Sequence, residues 1–253
     1  MLIKNKSAID KMAVAGQSLA QIMEELVSLV VPGVNTYDLD ALIEQKMISR
    51  GLKPECKGYA GYQYATCISV NDVVVHGVPS KETVLKSGDF VKIDLTASYK
   101  LYCADTARCF FVGQASDKAK RMAAVAQCAL DAAIKIAVPG NRISDISACV
   151  QEIVEKEGFS VIRAFAGHGI GKCLHEEPEI PNFGKPGKGI FLQEGMTLAI
   201  EPMIAQGGYD VTIMNDGWTA RTADGSLAAH VEDTIVVRPG GAQVLTRLKN
   251  SEL

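Results

Sequence analysis

The strongest constraint on this fold is an internal repeat: the chain resembles itself at one constant offset. Segment 30–51 (VVPGVNTYDLDALIEQKMISRG) lies over 137–158 (AVPGNRISDISACVQEIVEKEG), matching Pro32 with Pro139, Gly33 with Gly140, Asp38 with Asp145 and Gly51 with Gly158. In the same register 85–95 lies over 192–202, matching Leu85 with Leu192, Gly88 with Gly195, Ile93 with Ile200 and Asp94 with Glu201. Two separated blocks in one register point to a duplicated supersecondary unit. The 253 residues read as two copies of a helix–helix–strand unit, roughly 1–115 and 116–253, within one domain.

Local patterns agree with the repeat. Ser7 is read as the cap of a first helix, whose apolar positions Ile9, Met12, Leu19, Ile22, Met23 and Leu26 recur at helical spacing. A Val-Pro-Gly break ends it, and Thr36 or Asp38 starts the next through Leu42, Ile43 and Met47. Ala126 to Ala137 and Ser144 to Glu155 repeat the pair. Strand-like runs are expected at Thr66–Val70, Phe90–Leu95, Ala107–Val112, Val161–Phe165, Thr197–Ile200 and Thr234–Val237. Two pseudo-equivalent halves sharing one sheet, with helices on its outer face, is the most economical architecture.

Composition narrows the class. A net charge of −3 gives no overall basic field for nucleic acid or anionic lipid. No leader-like apolar run opens the chain and no stretch is long enough to span a membrane, so a cytoplasmic location is expected. The seven cysteines (56, 67, 103, 109, 128, 149 and 173) are scattered and form no C-x-x-C pair, which fits buried thiols in a reducing compartment.

The acids carry the chemistry. Asp94 and Glu201 end matched apolar strands, where a buried charge needs a partner or a metal. Each is followed by another acid in the next strand, Asp105 and Glu232. A two-residue loop at Tyr99-Lys100 would put Asp94 directly opposite Asp105. Four converging carboxylates would repel unless one cation, or better two, lay among them. Three of the four histidines have unusual contexts: His76 after VNDVVV, His168 within Gly-His-Gly-Ile-Gly, and His175 before Glu-Glu-Pro. Small neighbours would let other groups approach the His168 imidazole. His230 is read as an ordinary core histidine, distinguished only by its closeness to Glu232. No P-loop, H-E-x-x-H helix or G-x-S-x-G elbow is present.

The ordered segments CISVNDVVVHGVP (67–79), VKIDLTASYKLYCADTAR (91–108), GHGIGKCLHEEP (167–178), TLAIEPMI (197–204), DGWTARTADGSLA (216–228) and VEDTIVV (231–237) span nearly the whole chain. Together they resemble the type I methionine aminopeptidases of the pita-bread metallopeptidase fold. The resemblance implies an α/β (α+β) pita-bread domain with a curved, mainly antiparallel sheet shared by both halves and helices outside it. It implies two divalent metal ions (Co, Mn, Fe(II) or Zn) held by Asp94, Asp105, His168, Glu201 and Glu232. Asp105 and Glu232 would bridge the ions. It further implies that His76 and His175 contact substrate and that Glu201 carries protons. Cys56, Tyr59, Tyr62, Cys67, Leu174 and Trp218 would surround the methionine side chain. Metal-bridged water would attack the first peptide carbonyl of a nascent protein whose second residue is small. A monomer working near the ribosomal exit, with no nucleic-acid or membrane site, completes the expectation.

Two positions depart from the family pattern. Leu174 stands where an aromatic residue is common, and Asp233 follows Glu232 where type I members usually have His. The Glu-Asp pair is similar to that of X-Pro-cleaving relatives, and an extra acid beside the metals would alter metal preference or water basicity. An X-Pro peptidase and a metal-free binding module on the same fold are the alternative readings. Intact residues at all five ligand positions argue against the second.

Overall fold

Both halves begin with two helices started by short polar side chains or an acid in the first turn, and both use one backbone scheme to return to the sheet. The computed structural model of the chain describes residues 3–248. In the first half α1 (Lys6–Leu26) and α2 (Thr36–Ser49) precede β1 (Lys53–Pro54), β2 (Thr66–Val70), β3 (Val73–Val75), β4 (Phe90–Tyr99) and β5 (Tyr102–Phe111). In the second half α3 (Asp117–Ile136) and α4 (Ile143–Lys156) precede β6 (Ser160–Val161), β7 (Ala166–Gly169), β8 (Glu176–Pro181), β9 (Thr197–Ile200) and β10 (Met203–Ala205). The chain continues through β11 (Val211–Ile213), β12 (Ala220–Thr222), β13 (Ala228–His230), β14 (Glu232–Val236) and β15 (Gln243–Val244).

The repeat is visible in the backbone itself. Gly33 and Gly140 have φ of 92° and 96°, and Gly88 and Gly195 have 100° and 86°. Only glycine adopts such angles without a steric penalty. Gly33 N–H donates to Leu85 O at 2.9 Å, and Gly140 N–H to Leu192 O at 3.2 Å. Gly88 N–H donates to Val112 O and Gly195 N–H to Val237 O, so each half closes its strand pair in the same way. Asn35 Oδ1 accepts from Asp38 N–H at the start of α2, and at the matching turn of α4 the Arg142 N–H donates to Asp145 Oδ2 at 2.7 Å.

A nine-stranded sheet spans both halves in the order β1-β4-β5-β14-β9-β7-β8, with β2 on β4 and β15 on β14, and its strands pair antiparallel. The halves join at β5–β14, where Ala107 faces Glu232. α1 and α2 pack one apolar core on the first half, through Leu19, Ile22, Leu39 and Ile43 against Ile93 and Leu95. α3 and α4 pack another on the second, through Leu130, Ile146 and Val150 against Leu198 and Ile235. With helices on one face, the opposite face is left to build a cavity.

Several expectations are corrected. The cap of α1 is Asn5, whose Oδ1 accepts from Ala8 N–H at 2.9 Å, and not Ser7. α3 begins at Asp117 under a Ser116 cap, well before Ala126, because Ala119, Met122 and Val125 complete its buried face. The run expected at Val161–Phe165 is a strand only at Ser160–Val161. The β4–β5 turn is Lys100-Leu101, with φ of 48° and 72°, and Tyr99 pairs with Tyr102. Such positive angles suit a tight hairpin turn. Asp94 therefore faces Ala107, and Asp105 faces Thr96. The two acids share a sheet face as diagonal neighbours, not as a directly opposed pair. Cys128 and Cys173 are exposed, so the expectation of buried thiols fails for those two.

Candidate metal centre and substrate pocket

Pleating delivers the acids to one place. Asp94 comes from the middle of β4 and Asp105 from β5, on the face turned away from the helices. In the second half β14 pairs with β9 and β13 with β10 in one continuous register, Asp233 on Ile200 and Met203 on His230. That register brings Glu201 opposite Glu232. His168 enters from β7, which pairs with β9 through Ala199. The flanking glycines serve the neighbouring backbone rather than the imidazole: a Cβ on Gly167 would meet Ala199 O at 2.5 Å, and one on Gly169 would meet Glu177 O at 2.1 Å.

All these side chains line one cavity of about 180 Å³. At its polar end stand Asp94, Asp105, His168, Glu201, His230 and Glu232. One donor atom each from Asp105, His168 and Glu232 lies within 4.8 Å of the others. His168 Nε2 is 3.5 Å from Glu201 Oε1 and 3.9 Å from Asp105 Oδ2. Its Nδ1 donates to Gly169 O at 3.0 Å, which leaves the Nε2 lone pair facing the acids. Thr96 Oγ1 donates to Asp105 Oδ1 at 2.8 Å, and Thr234 bonds both the N–H and the carbonyl of Asp105 at 2.8 Å. These contacts lock that carboxylate in place.

The electrostatics ask for a cation. Burial, then repulsion from Asp105, pushes Asp94 well above the usual carboxylate range; Glu232 is driven the same way by the same causes. Burial raises Asp105 to about 7 against the restraining Thr96 hydrogen bond, and Glu201 to about 8. Burial holds His76, His168 and His230 down to about 4, so none supplies a compensating positive charge at neutral pH. Among the described residues Asp94 Oδ1, Glu232 Oε1 and His230 Nε2 are buried without a hydrogen-bond partner. Buried polar atoms are rarely left so unless something else satisfies them. Four carboxylates and one imidazole with a free lone pair make a donor set suited to divalent first-row metals.

The other end of the cavity is aromatic and sulfur-rich. Tyr62 is buried, meets Trp218 edge-on at 5.1 Å, and donates to Thr66 O at 2.9 Å. Cys67 faces Asp94 across β2–β4, so the apolar wall begins directly beside the acids. Cys56 and Leu174 complete it. At the mouth Tyr59 Oη is 2.7 Å from His175 Nδ1, and the His175 ring packs edge-on against His168 at 4.3 Å. His76 takes a left-handed backbone with φ of 56° and packs against Phe165 at 5.3 Å.

Every predicted site residue thus lines this one cavity. Asp233 does not join them. Successive residues of a strand face opposite ways, and Asp233 is fully buried on the far side. There it accepts from Arg108 Nη2 at 2.6 Å, Thr246 Oγ1 at 2.7 Å and Arg247 Nε at 2.7 Å. The expectation of an extra acid beside the metals is therefore wrong. Phe165, Met203 and His230 line the cavity without having been singled out. Once the strand pairing is known the repeat accounts for His230: Thr96 falls on Met203 at the constant offset, and they pair with Asp105 and His230 respectively. The symmetry mate of Asp105 is consequently His230 and not Glu232.

Comparison with known proteins follows the same lines. The model of metallopeptidase family M24 matches residues 10–239. The methionine aminopeptidase of Clostridium perfringens is 43% identical over 249 residues, covering 98% of this chain and 100% of that relative. That of Escherichia coli K12 is 39% identical over 252 residues, covering 99% and 96%. The crystal structure of the methionine aminopeptidase from Thermotoga maritima matches with a TM-score of 0.96 at 46% identity, over 98% of this chain and 100% of that one.

Proposed function

The chain belongs to metallopeptidase family M24 and acts as a metal-dependent aminopeptidase on N-terminal methionine; we propose that Asp94, Asp105, His168, Glu201 and Glu232 hold its metal and that the adjoining aromatic pocket selects the methionine. The observation that carries this reading is one cavity with unpartnered buried acids at one end and sulfur and aromatic faces at the other. Two ions are the better balance, since one divalent cation offsets only half the charge of four carboxylates. Bound there, divalent metal supplies a Lewis acid that makes water a nucleophile at neutral pH.

The remaining work belongs to the chain. Tyr62, Trp218, Cys56, Cys67 and Leu174 hold a flexible thioether, which packs well on aromatic faces and soft sulfur. A cavity of about 180 Å³ has room for one substrate side chain, that of the N-terminal residue. We assign the Tyr59 hydroxyl, 2.7 Å from His175 Nδ1, as the donor of that bond, which puts the imidazole proton on Nε2 as a donor for the charge developing on the carbonyl oxygen. His76 contacts the substrate from its fixed position beside Phe165. Glu201 takes the proton of the attacking water and gives it to the leaving amine. The substrates are nascent chains with a small second residue, met in the cytoplasm near the ribosomal exit by a single copy of this protein. Among the described residues no helix is long and apolar enough to cross a membrane.

The test is hydrolysis of Met-Ala-Ser and Ala-Pro-Ser by metal-stripped protein, with Mn, Fe(II), Co or Zn restored one at a time. Free methionine is expected only after metal is restored, with Ala-Pro-Ser left intact. Release of alanine from Ala-Pro-Ser without release of methionine would overturn the reading in favour of an X-Pro peptidase.

A further inference from the structure

His230 occupies, in the second half, the register position that Asp105 occupies in the first. Thr96 pairs with Asp105, and its repeat mate Met203 pairs with His230. The imidazole is thereby placed on the cavity face of the sheet, where the residue is 2% exposed. Its Nε2 is buried without a hydrogen-bond partner, 3.4 Å from Glu201 Oε2. The other oxygen of the same carboxylate, Oε1, faces His168 Nε2 at 3.5 Å. Glu201 therefore lies between two imidazoles, one for each oxygen.

The two imidazoles differ in kind. His168 spends its Nδ1 proton on Gly169 O and belongs to the tight donor group with Asp105 and Glu232. His230 lies outside that group. Pairing with Met203 in the sheet, and the Cys109 thiol donating to its carbonyl at 3.5 Å, leave its backbone no freedom to shift. A small rotation of either side chain closes the 3.4 Å gap to a charge-assisted hydrogen bond of about 2.8 Å.

We propose that His230 is the positioning residue for Glu201: its Nε2–H holds Oε2, keeps Oε1 turned toward His168, and returns the carboxylate to one orientation after each proton transfer. The proposal rests on the reading of Glu201 as the proton carrier. His230 gains and loses no proton. Glu201 takes one from water through the second lone pair of Oε2 and releases it to the leaving amine.

The test compares His230→Leu, His230→Gln, His230→Asn, Glu201→Gln and the Glu201→Gln/His230→Leu pair. Readouts are kcat and KM on Met-Ala-Ser, metal stoichiometry by titration calorimetry, and the melting temperature of the metal-free protein. Removing a partner that orients a ligand typically costs about 10–100-fold. His230→Leu is expected to lose that much in kcat, with KM changed less than about 2-fold and stoichiometry unchanged. His230→Gln, whose amide also donates, should stay within about 3-fold of the parent, whereas the shorter Asn should not. Should the leucine variant fail to fold, the Gln and Asn pair decides. In the double variant the leucine should add no further loss, since both changes break one unit. Unchanged kcat in His230→Leu, loss of a bound ion, or multiplying losses in the double variant would each overturn the proposal. Full activity in Glu201→Gln would instead overturn the proton-carrier reading on which the proposal stands.

Discussion

His168, His175 and Asp105 are each held by a contact that leaves a working atom free. The Nδ1 of His168 is occupied by Gly169 O, and that of His175 by the Tyr59 hydroxyl. Asp105 is gripped by Thr96 and Thr234. At the apolar end the edge-on contact of Tyr62 with Trp218 makes a wall for a thioether. Sulfur–aromatic contacts contribute about 0.3–1.5 kcal/mol, so Trp218→Ala should lower kcat/KM for Met-Ala-Ser by up to about 10-fold, mainly through KM. Kinetics with the matching norleucine peptide check the cause. The discrimination between the two should shrink, because norleucine lacks the sulfur. The acids and His168 were legible from residue type and spacing. His230 was not, because its meaning lies in Glu201 Oε2, distant in the chain and adjacent only through the sheet.

At the scale of elements, alternation along β14 separates chemistry from stability. Glu232 faces the cavity, and Asp233 anchors Arg108 and Arg247 on the far side, where Arg247 also reaches Asp131 at 2.5 Å. Removing one partner of a buried ion pair leaves the others uncompensated, at a cost of about 3–5 kcal/mol. Arg108 and Arg247 keep 22% and 17% side-chain exposure, so Asp233→Ala should cost about 3 kcal/mol, the low end of that range. Urea unfolding measures the loss, and metal titration of the folded variant should show unchanged stoichiometry. That outcome would separate Asp233 from metal preference altogether. The face of Asp233 was readable once the strand was granted, because a one-residue step reverses a strand side chain. The β4–β5 register was not. Lys100 and Leu101 are unusual residues for a turn with two positive φ angles, and they are held there by the long paired strands on either side.

For the whole molecule, the site exists because two halves meet at β5–β14 and each supplies part of the acid cluster. That cluster opposes folding when no metal is bound. Asp105 and Glu201 ionise near 7 and 8 in the fold, against about 4 in an unfolded chain. Between these values the two acids hold protons in the native state that the unfolded state has released. His76, His168 and His230, held at about 4 by burial, oppose this below their unfolded value of about 6.5. Stability of the metal-free protein therefore falls as pH rises from about 6.5 to about 8. In the proposed metal site, bound metal would take the place of those protons. The rise in melting temperature on adding metal should therefore be larger at pH 8 than at pH 5.5. Thermal melts with and without chelator give the comparison, and an increment independent of pH would contradict the raised acids.

The repeat, the helix pairs, the acids and His168 could all be read from the sequence. Each is written either locally or in the one constant offset that lays Pro32 on Pro139 and Asp94 on Glu201. Glycines at φ near 90° in both halves show why the offset survived: no other residue takes that backbone freely. Tertiary structure alone decided that Asp94 and Asp105 are diagonal, that Asp233 binds arginines, and that His230 stands beside Glu201. These facts depend on which strand lies beside which and in what register. Contacts between distant segments set that register, and no local pattern encodes them.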